Sequence, residues 1–182
     1  IFKVLPGELL IYRNKKLTKK KFLNYDFKTN KKLSNEFIKE KIIKIIKKQT
    51  VSDVPIALSL SGGIDSNILL GNINKPLKTY SASFIYNNNK NLDSIFAAQR
   101  ATEYKTEHNE INISDDDFMN SLELINDILE EPIGNENSVG NYFLSKNIKE
   151  KVLLTGDGGD EIFTGYKKYR SIYFFCVFFL RF

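Results

Sequence analysis

Ile56-Ala57-Leu58-Ser59-Leu60-Ser61-Gly62-Gly63-Ile64-Asp65-Ser66 decides the fold. An apolar run enters Ser-Gly-Gly-Ile-Asp-Ser and continues into Ile68, Leu69 and Leu70. The pattern predicts a buried strand, a tight glycine turn and the start of a helix. Gly62 and Gly63 carry no Cβ, so their N–H groups can turn toward an anion and approach it closely. Ser61 and Ser66 add hydroxyl donors, and the helix brings its positive N-terminal end to the same point. Such a site holds a phosphate or pyrophosphate. Asp65 would repel a bare phosphate, so a carboxylate here points to Mg²⁺ between the two. The plain alternative is an ordinary strand–turn–helix link with Asp65 as a cap. The six-residue string directly behind an apolar strand is more specific than that, and no Lys follows the glycines as in a Walker loop.

Upstream, residues 1–27 read as a hairpin with a Pro6-Gly7 turn and a second extended stretch reaching Phe27. It is too small to fold alone. Residues 28–33 form a polar, Lys-rich linker. Ser34 caps a helix to about Gln49 with Phe37, Ile38, Ile42, Ile45 and Ile46 on one side. Downstream, Gly71, Asn74 and Pro76 stop the helix after the turn. A strand over 77–85, a loop over Asn87 to Asn91 and a helix over 93–104 follow, the helix with Ile95, Phe96, Ala97 and Ala98 near its apolar side. Residues 107–113 alternate as a strand. Ser114 caps a helix with Phe118, Leu122, Ile125 and Leu129 at helical spacing, ended by Glu130-Glu131-Pro132. A helix over 139–149 leads to a short apolar strand over 151–155. Strands alternating with helices predict an α/β domain with a mostly parallel sheet and flanking helices. The site should lie at the carboxyl ends of its strands.

The strand at 151–155 opens into Gly156-Asp157-Gly158-Gly159-Asp160-Glu161, followed by Ile162-Phe163-Thr164-Gly165-Tyr166. Three glycines and three carboxylates in six residues are a poor way to stabilise a fold, because glycines cost entropy and carboxylates repel. They are a sensible way to hold Mg²⁺ beside polyphosphate. In the sheet just described this loop leaves the same edge as the glycine turn, so Asp65 and Asp160 could share a metal–pyrophosphate unit. The EF-hand spacing of a calcium loop is absent.

Ser-Gly-Gly-Ile-Asp-Ser resembles the pyrophosphate loop of ATP pyrophosphatases, which are adenine nucleotide alpha-hydrolase-like in fold. With Ser52-Asp53-Val54-Pro55 and Gly156 to Tyr166, residues 34–170 resemble the synthetase domain of glutamine-dependent asparagine synthetases. The resemblance implies a division into a hairpin remnant of a glutaminase domain (1–27), the ATP-pyrophosphatase synthetase domain (28–170) and a truncated apolar tail (171–182). It implies that Ser61, Gly62, Gly63, Asp65 and Ser66 hold the phosphates of ATP, with Asp65 on Mg²⁺. Leu60 and Ala82 would meet the adenosine through backbone contacts. Gly156 would lie near the nucleotide, and Asp160 near Mg²⁺ and pyrophosphate. Asp157, where several members have Glu, would face the acyl-adenylate and the incoming ammonia. The implied reaction joins ammonia to aspartate through β-aspartyl-AMP, releasing AMP and pyrophosphate.

The chain departs from the family in three ways. It lacks the glutaminase domain that would supply ammonia, together with that domain's N-terminal Cys. Residues 131–138 do not follow the asparagine-making members, so another carboxylate, such as a sugar acid, stays open as the acceptor. The chain also stops before the family's helical extension, which leaves a truncated, catalytically inactive nucleotide-binding fragment as a second reading. The segment 171–182, ten of twelve residues apolar, reads as a core helix without partners or a frameshift product.

Composition narrows the setting. One cysteine, Cys176, excludes an intrachain disulfide, and a reducing, cytoplasmic compartment is the default. There is no run of about 18 apolar residues, so no membrane partner is expected. Residues 1–50 hold 15 Lys and Arg against 4 Asp and Glu, and the remainder 12 against 18. Lys, Asn and Ile abound throughout, so the basic end reads as compositional bias and no nucleic-acid partner is expected. A homodimer is left open. His108, the one histidine, reads as an incidental strand residue ahead of a general base.

Overall fold

A computed structural model describes residues 3–23, 33–87, 89–130, 132, 134–169 and 171. The end of the second extended stretch near Phe27, most of the 28–33 linker and the apolar tail after 171 lie outside the described residues. The chain divides into two compact units, 1–38 and 39–182.

The first unit holds an antiparallel hairpin, β1 (Glu8–Arg13) and β2 (Lys16–Lys21). Asn14 and Lys15 link the strands with φ of 51° and 59°. Two left-handed residues give a turn whose twist matches that of the strands. Gly7 sits at φ 77°, where a Cβ would lie 2.9 Å from the Leu23 carbonyl oxygen. Lys19 Nζ reaches Glu8 Oε2 at 2.7 Å.

Helix α1 (Asn35–Gln49) crosses the division between units, and Ser34 Oγ accepts from Phe37 N at its start. Ile46 is buried and Ile38, Ile42 and Ile43 half-buried, whereas Phe37 and Ile45 are exposed. The buried line follows the four-residue spacing of positions 38, 42 and 46, and the two exposed residues flank it.

The second unit is an α/β sheet. It contains β3 (Ile56–Ser59), α2 (Ile64–Asn72), β4 (Lys78–Tyr86), β5 (Asn89–Lys90), α3 (Leu92–Glu103), β6 (Glu107–Ser114), α4 (Asp115–Leu129), α5 (Asn137–Asn147), β7 (Val152–Leu154) and α6 (Gly159–Phe163). The parallel strands run in the order β6-β4-β3-β7, and β5 folds back antiparallel on the end of β4. The segment expected to be all loop at 87–91 therefore contains a two-residue strand. Asn87, at φ 48°, makes the reversal that lets Lys90 pair with Ile85.

Side chains of β3 alternate between the faces, as a strand demands. Ile56, Leu58 and Leu60 pack with Leu70 of α2 and with Ala97 and Ala101 of α3. Ala57 packs on the other side with Tyr80 and Leu144 of α5. Ile113, Ile125 and Val139 extend that second layer through α4 and α5.

Helix α3 corrects one expectation. Its buried stripe is Ser94, Ala97 and Ala101, while Ile95 and Phe96 are exposed. Small residues let the helix approach the sheet, which beneath it is apolar along β3 and polar along β4. Ser83 Oγ donates to Ser94 Oγ at 3.0 Å, and Thr79 Oγ1 meets Thr106 Oγ1 at 2.9 Å.

Ser114 closes a capping box with Asp117, satisfying donors at both sides of the α4 start. Ser114→Ala is expected to lower the unfolding free energy by about 1 kcal/mol in chemical denaturation, with an unchanged denaturant slope.

Candidate active site

Strand order locates the site. From β3 the chain runs to β4 and then β6 in one direction, and β7 returns on the other side of β3. Loops leaving β3 and β7 thus part at the switch point, where the carboxyl ends of parallel strands leave a crevice. Ile56, Ala57 and Leu58 lie opposite Val152, Leu153 and Leu154, so both loops start at the same level. They are the two glycine-rich motifs.

The first loop is tied to itself. Ser61 N donates to Ser66 Oγ at 3.2 Å, and Gly63 N donates to Ser61 Oγ at 3.1 Å. Ser66 is buried, and its single proton has Ser61 O, Gly63 O and Ser61 Oγ within 3.1–3.2 Å. Neither glycine has positive φ. The positive-φ glycines among the described residues are Gly7 and Gly158. What Gly62 and Gly63 supply is room: a Cβ on Gly62 would lie 3.0 Å from Asp93 Oδ1, and one on Gly63 3.2 Å from Ser61 Oγ. Helix α2 has Gly63 as its N-cap and no side-chain cap, so its first-turn N–H groups are left to other acceptors.

The second loop lies against the first. A Cβ on Gly156 would be 2.9 Å from Asp65 Cβ and 3.0 Å from Ser66 N. A Cβ on Gly159 would run into the Asp65 carboxylate, and one on Gly165 into that of Asp160. Gly158, at φ 92°, makes the turn into α6. Burial, then the charges of Asp160 and Glu161, push the Asp65 carboxyl above its ordinary range. Tyr166 Oη donates to Glu161 Oε1 at 2.9 Å, which holds the phenol's pKa up.

The crevice is a cavity of about 490 Å³. It brings together nine of the ten residues singled out from the sequence: Leu60, Ser61, Gly63, Asp65, Ser66, Ala82, Gly156, Asp157 and Asp160. Gly62 is not on its wall. The carboxylates of Asp65, Asp93, Asp157, Asp160 and Glu161 line the cavity, and among the described lining residues none is Lys, Arg or His. On β4 the pairing with β3 ends at Tyr80 and that with β5 begins at Ile85, so Ala82, paired with Ile111 of β6 on one edge, faces no strand on the other.

The far wall escaped the sequence reading. Asn91, Asp93 and Ser94 come from the start of α3, and Asn137, Gly140 and Asn141 from α5. Two signals were present. Asn91 stands where a helix cap is favoured. Gly140 is a helix-interior glycine, and a Cβ there would sit 3.5 Å from both Ala82 Cβ and the Phe84 ring. His108 is elsewhere, on β6. Its Nδ1 meets Thr79 Oγ1 at 2.9 Å and its Nε2 meets Ser81 Oγ at 3.2 Å.

Comparison with known proteins follows the same stretch. A sequence model of the family described as Asparagine synthase matches residues 38–176. The chain belongs to the asparagine synthase family. Members of this family are ATP-dependent ligases. Asparagine synthetase [glutamine-hydrolyzing] 1 of Bacillus subtilis is 30% identical over 93% of this chain and 28% of its own length. Amidase chry2 of Gibberella zeae is 24% identical over 94% of this chain and 30% of its own length. The chain thus spans under a third of each of these two relatives. An NH3-dependent NAD synthetase from Campylobacter jejuni aligns at a TM-score of 0.45 and 17% identity, covering 74% of this chain and 62% of that one, too loose a likeness to build on. No helix among the described residues is long and apolar enough to cross a membrane.

Two outcomes follow from the electrostatics. The charged form of Asp65 is disfavoured in the folded state, so it costs stability above its raised pKa and the cost is relieved as pH falls through that value. Asp65→Asn should therefore raise the melting temperature at neutral pH by a few degrees, and the gain should shrink in acid. Burial, with Lys90 nearby, holds the His108 pKa below 6.5 despite the charge of Glu110. The unfolded chain then binds the extra proton. Stability from this residue is complete above 6.5 and lost as pH falls below it, with a slope of at most about 1.4 kcal/mol per pH unit. His108→Gln should flatten that part of the stability–pH curve in urea titrations.

Proposed function

We propose that this domain activates a carboxylate with ATP and joins it to ammonia, converting aspartate to asparagine through β-aspartyl-AMP. The observation that carries the reading is the meeting of two motif loops across the switch point, with Asp65 facing Asp160 and Glu161. No structural benefit explains a carboxylate held among like charges.

The residues fit magnesium in one particular way. Among the described residues no three acidic, histidine or cysteine side chains are gathered as a metal cage. Magnesium rarely uses one; it takes one or two carboxylates together with substrate phosphates and water. Asp65 and Asp160 are the pair that would hold it, and the ion would neutralise charge on the polyphosphate.

The chain's own groups divide the remaining work. Ser61, Gly62, Gly63 and Ser66, with the start of α2, receive the phosphates, the N–H groups of Ser61 and Gly63 giving up the Ser66 and Ser61 hydroxyls they meet in this structure. Leu60 and the open edge at Ala82 receive the adenosine through main-chain contacts, and Gly156 lets the nucleotide approach. A carboxylate oxygen of the acceptor attacks the α-phosphorus and the bond to pyrophosphate breaks. Ammonia then attacks the acyl carbon and AMP leaves, with one proton released. Asp157 stands at the wall to hold the incoming ammonia and take up that proton. Positioning and charge stabilisation are the protein's contribution. Glutamine hydrolysis by a glutaminase domain is the proposed ammonia source, and the cytoplasm the setting.

A second acceptor class has a specific observation behind it. No cation lines the described cavity wall to meet the α-carboxylate of aspartate, and residues 131–138 depart from the asparagine-making pattern. Another carboxylate, such as a sugar acid, is the competing substrate.

Pyrophosphate release from ATP·Mg²⁺ with ammonium, with and without aspartate, separates these readings. Aspartate-dependent release is expected, reduced about a hundredfold or more by Asp65→Asn. ATP binding without aspartate-dependent release would move the acceptor to another carboxylate or leave an inactive nucleotide-binding fragment. Absence of ATP binding would overturn the proposal.

A further inference from the structure

Asn67 lies one residue beyond the six-residue motif, in the first turn of α2. Its Nδ2 donates to Gly63 O at 2.7 Å and to Ser61 O at 3.2 Å. Its Oδ1 is buried without a hydrogen-bond partner. The side chain is thus placed for its two amide protons and for nothing else.

Proton counting shows why two are needed. Ser66 Oγ reaches both carbonyls, but a hydroxyl has one proton, and Ser61 Oγ competes for it at 3.1 Å. The Asn67 backbone N–H reaches Gly63 O at only 3.4 Å and cannot reach Ser61 O, whereas the side-chain amide can serve both carbonyls at once. Asn67 is not among the residues lining the cavity, whereas Ser61, Gly63, Asp65 and Ser66 are. It therefore draws the two carbonyls toward a group behind the loop. A carbonyl turned the other way would present its negative end to an arriving polyphosphate.

We infer that Asn67 is a positioning residue, which holds the Ser61 and Gly63 carbonyls away from the polyphosphate. The inference rests on reading this loop as the polyphosphate site. Asn67 does not touch the ligand; it spares binding a rearrangement of these two carbonyls.

The test uses the full 182-residue chain and two separate probes in titration calorimetry, Mg²⁺-pyrophosphate and adenosine. Asn67→Ala should weaken pyrophosphate about tenfold, as expected for two lost hydrogen bonds. Asn67→Asp keeps the shape but cannot donate, so it should lose at least as much. Asn67→Ser should fall between wild type and alanine, because a helical serine reaches back only to the carbonyl four residues earlier, that of Gly63. Adenosine affinity should stay unchanged in all three, with melting temperatures recorded alongside. Equal pyrophosphate affinity in wild type, Asn67→Ala and Asn67→Asp would overturn the inference. So would a parallel loss of adenosine binding, the mark of a general structural role. Adenosine binding without any pyrophosphate binding by wild type would overturn the loop reading itself.

Discussion

Everything at the carboxyl end of the sheet turns on how closely the chain after Leu154 can pass Asp65. The parallel register of β3 and β7 starts both loops at one level. Any Cβ at Gly156 or Gly159 would then occupy space already held by Asp65. Glycine is required at these two positions for approach, and at Gly158 for its φ. The same closeness sets the electrostatics. Asp65 sits partly desolvated against Asp160 and Glu161, and its carboxyl is pushed up accordingly. A loop pair selected for stability alone would not collect charges of one sign, because each raises the cost of the others.

The layers beneath explain how such a site is held. β3 is buried on both faces, with Ala57 and Leu58 fully inaccessible. Apolar contacts grip it between α2 and α3 on one side and α5 on the other. Under α3 the character changes to hydroxyls. Thr79, Ser81 and Ser83 of β4 face Thr106, His108 and Ser94, each through a hydrogen bond of 2.9–3.2 Å. The seam reaches the cavity at Ser81 and Ser94, so the wall formed by the start of α3 is tied to β4 by the directional Ser83–Ser94 bond.

Much of this was legible in the sequence, for reasons specific to each part. Ile56 to Leu60 could only be a strand once followed by two glycines and an apolar helix. The second motif announced itself by a composition no structural loop would choose. Ser114 was readable as a cap because capping is local, and the structure adds Asp117 as its partner. Other parts were hidden by their nature. Ile95 and Phe96 looked like the inner face of α3, but the helix turns Ser94, Ala97 and Ala101 inward, and small residues carry a weak hydrophobic signal. β5 is two residues long and exists only because Asn87 reverses the chain beside β4. The wall from Asn91 and from Asn137 to Asn141 is assembled by tertiary packing alone. Asn67 was passed over because its role lies in the number of protons it carries.

The interruption in the edge of β4 has a consequence for drift. Between the last pairing with β3 and the first with β5, what Ala82 presents to the cavity edge is main chain. Main-chain groups are the same for almost any residue. The constraint that remains is steric, since Gly140 of α5 lies close against the Ala82 side chain. Over many substitutions such a surface can keep its shape while its letters change, so position 82 would be free to vary among small residues. The loops on either side, where glycine and carboxylate are each irreplaceable for a different reason, would stand nearly still.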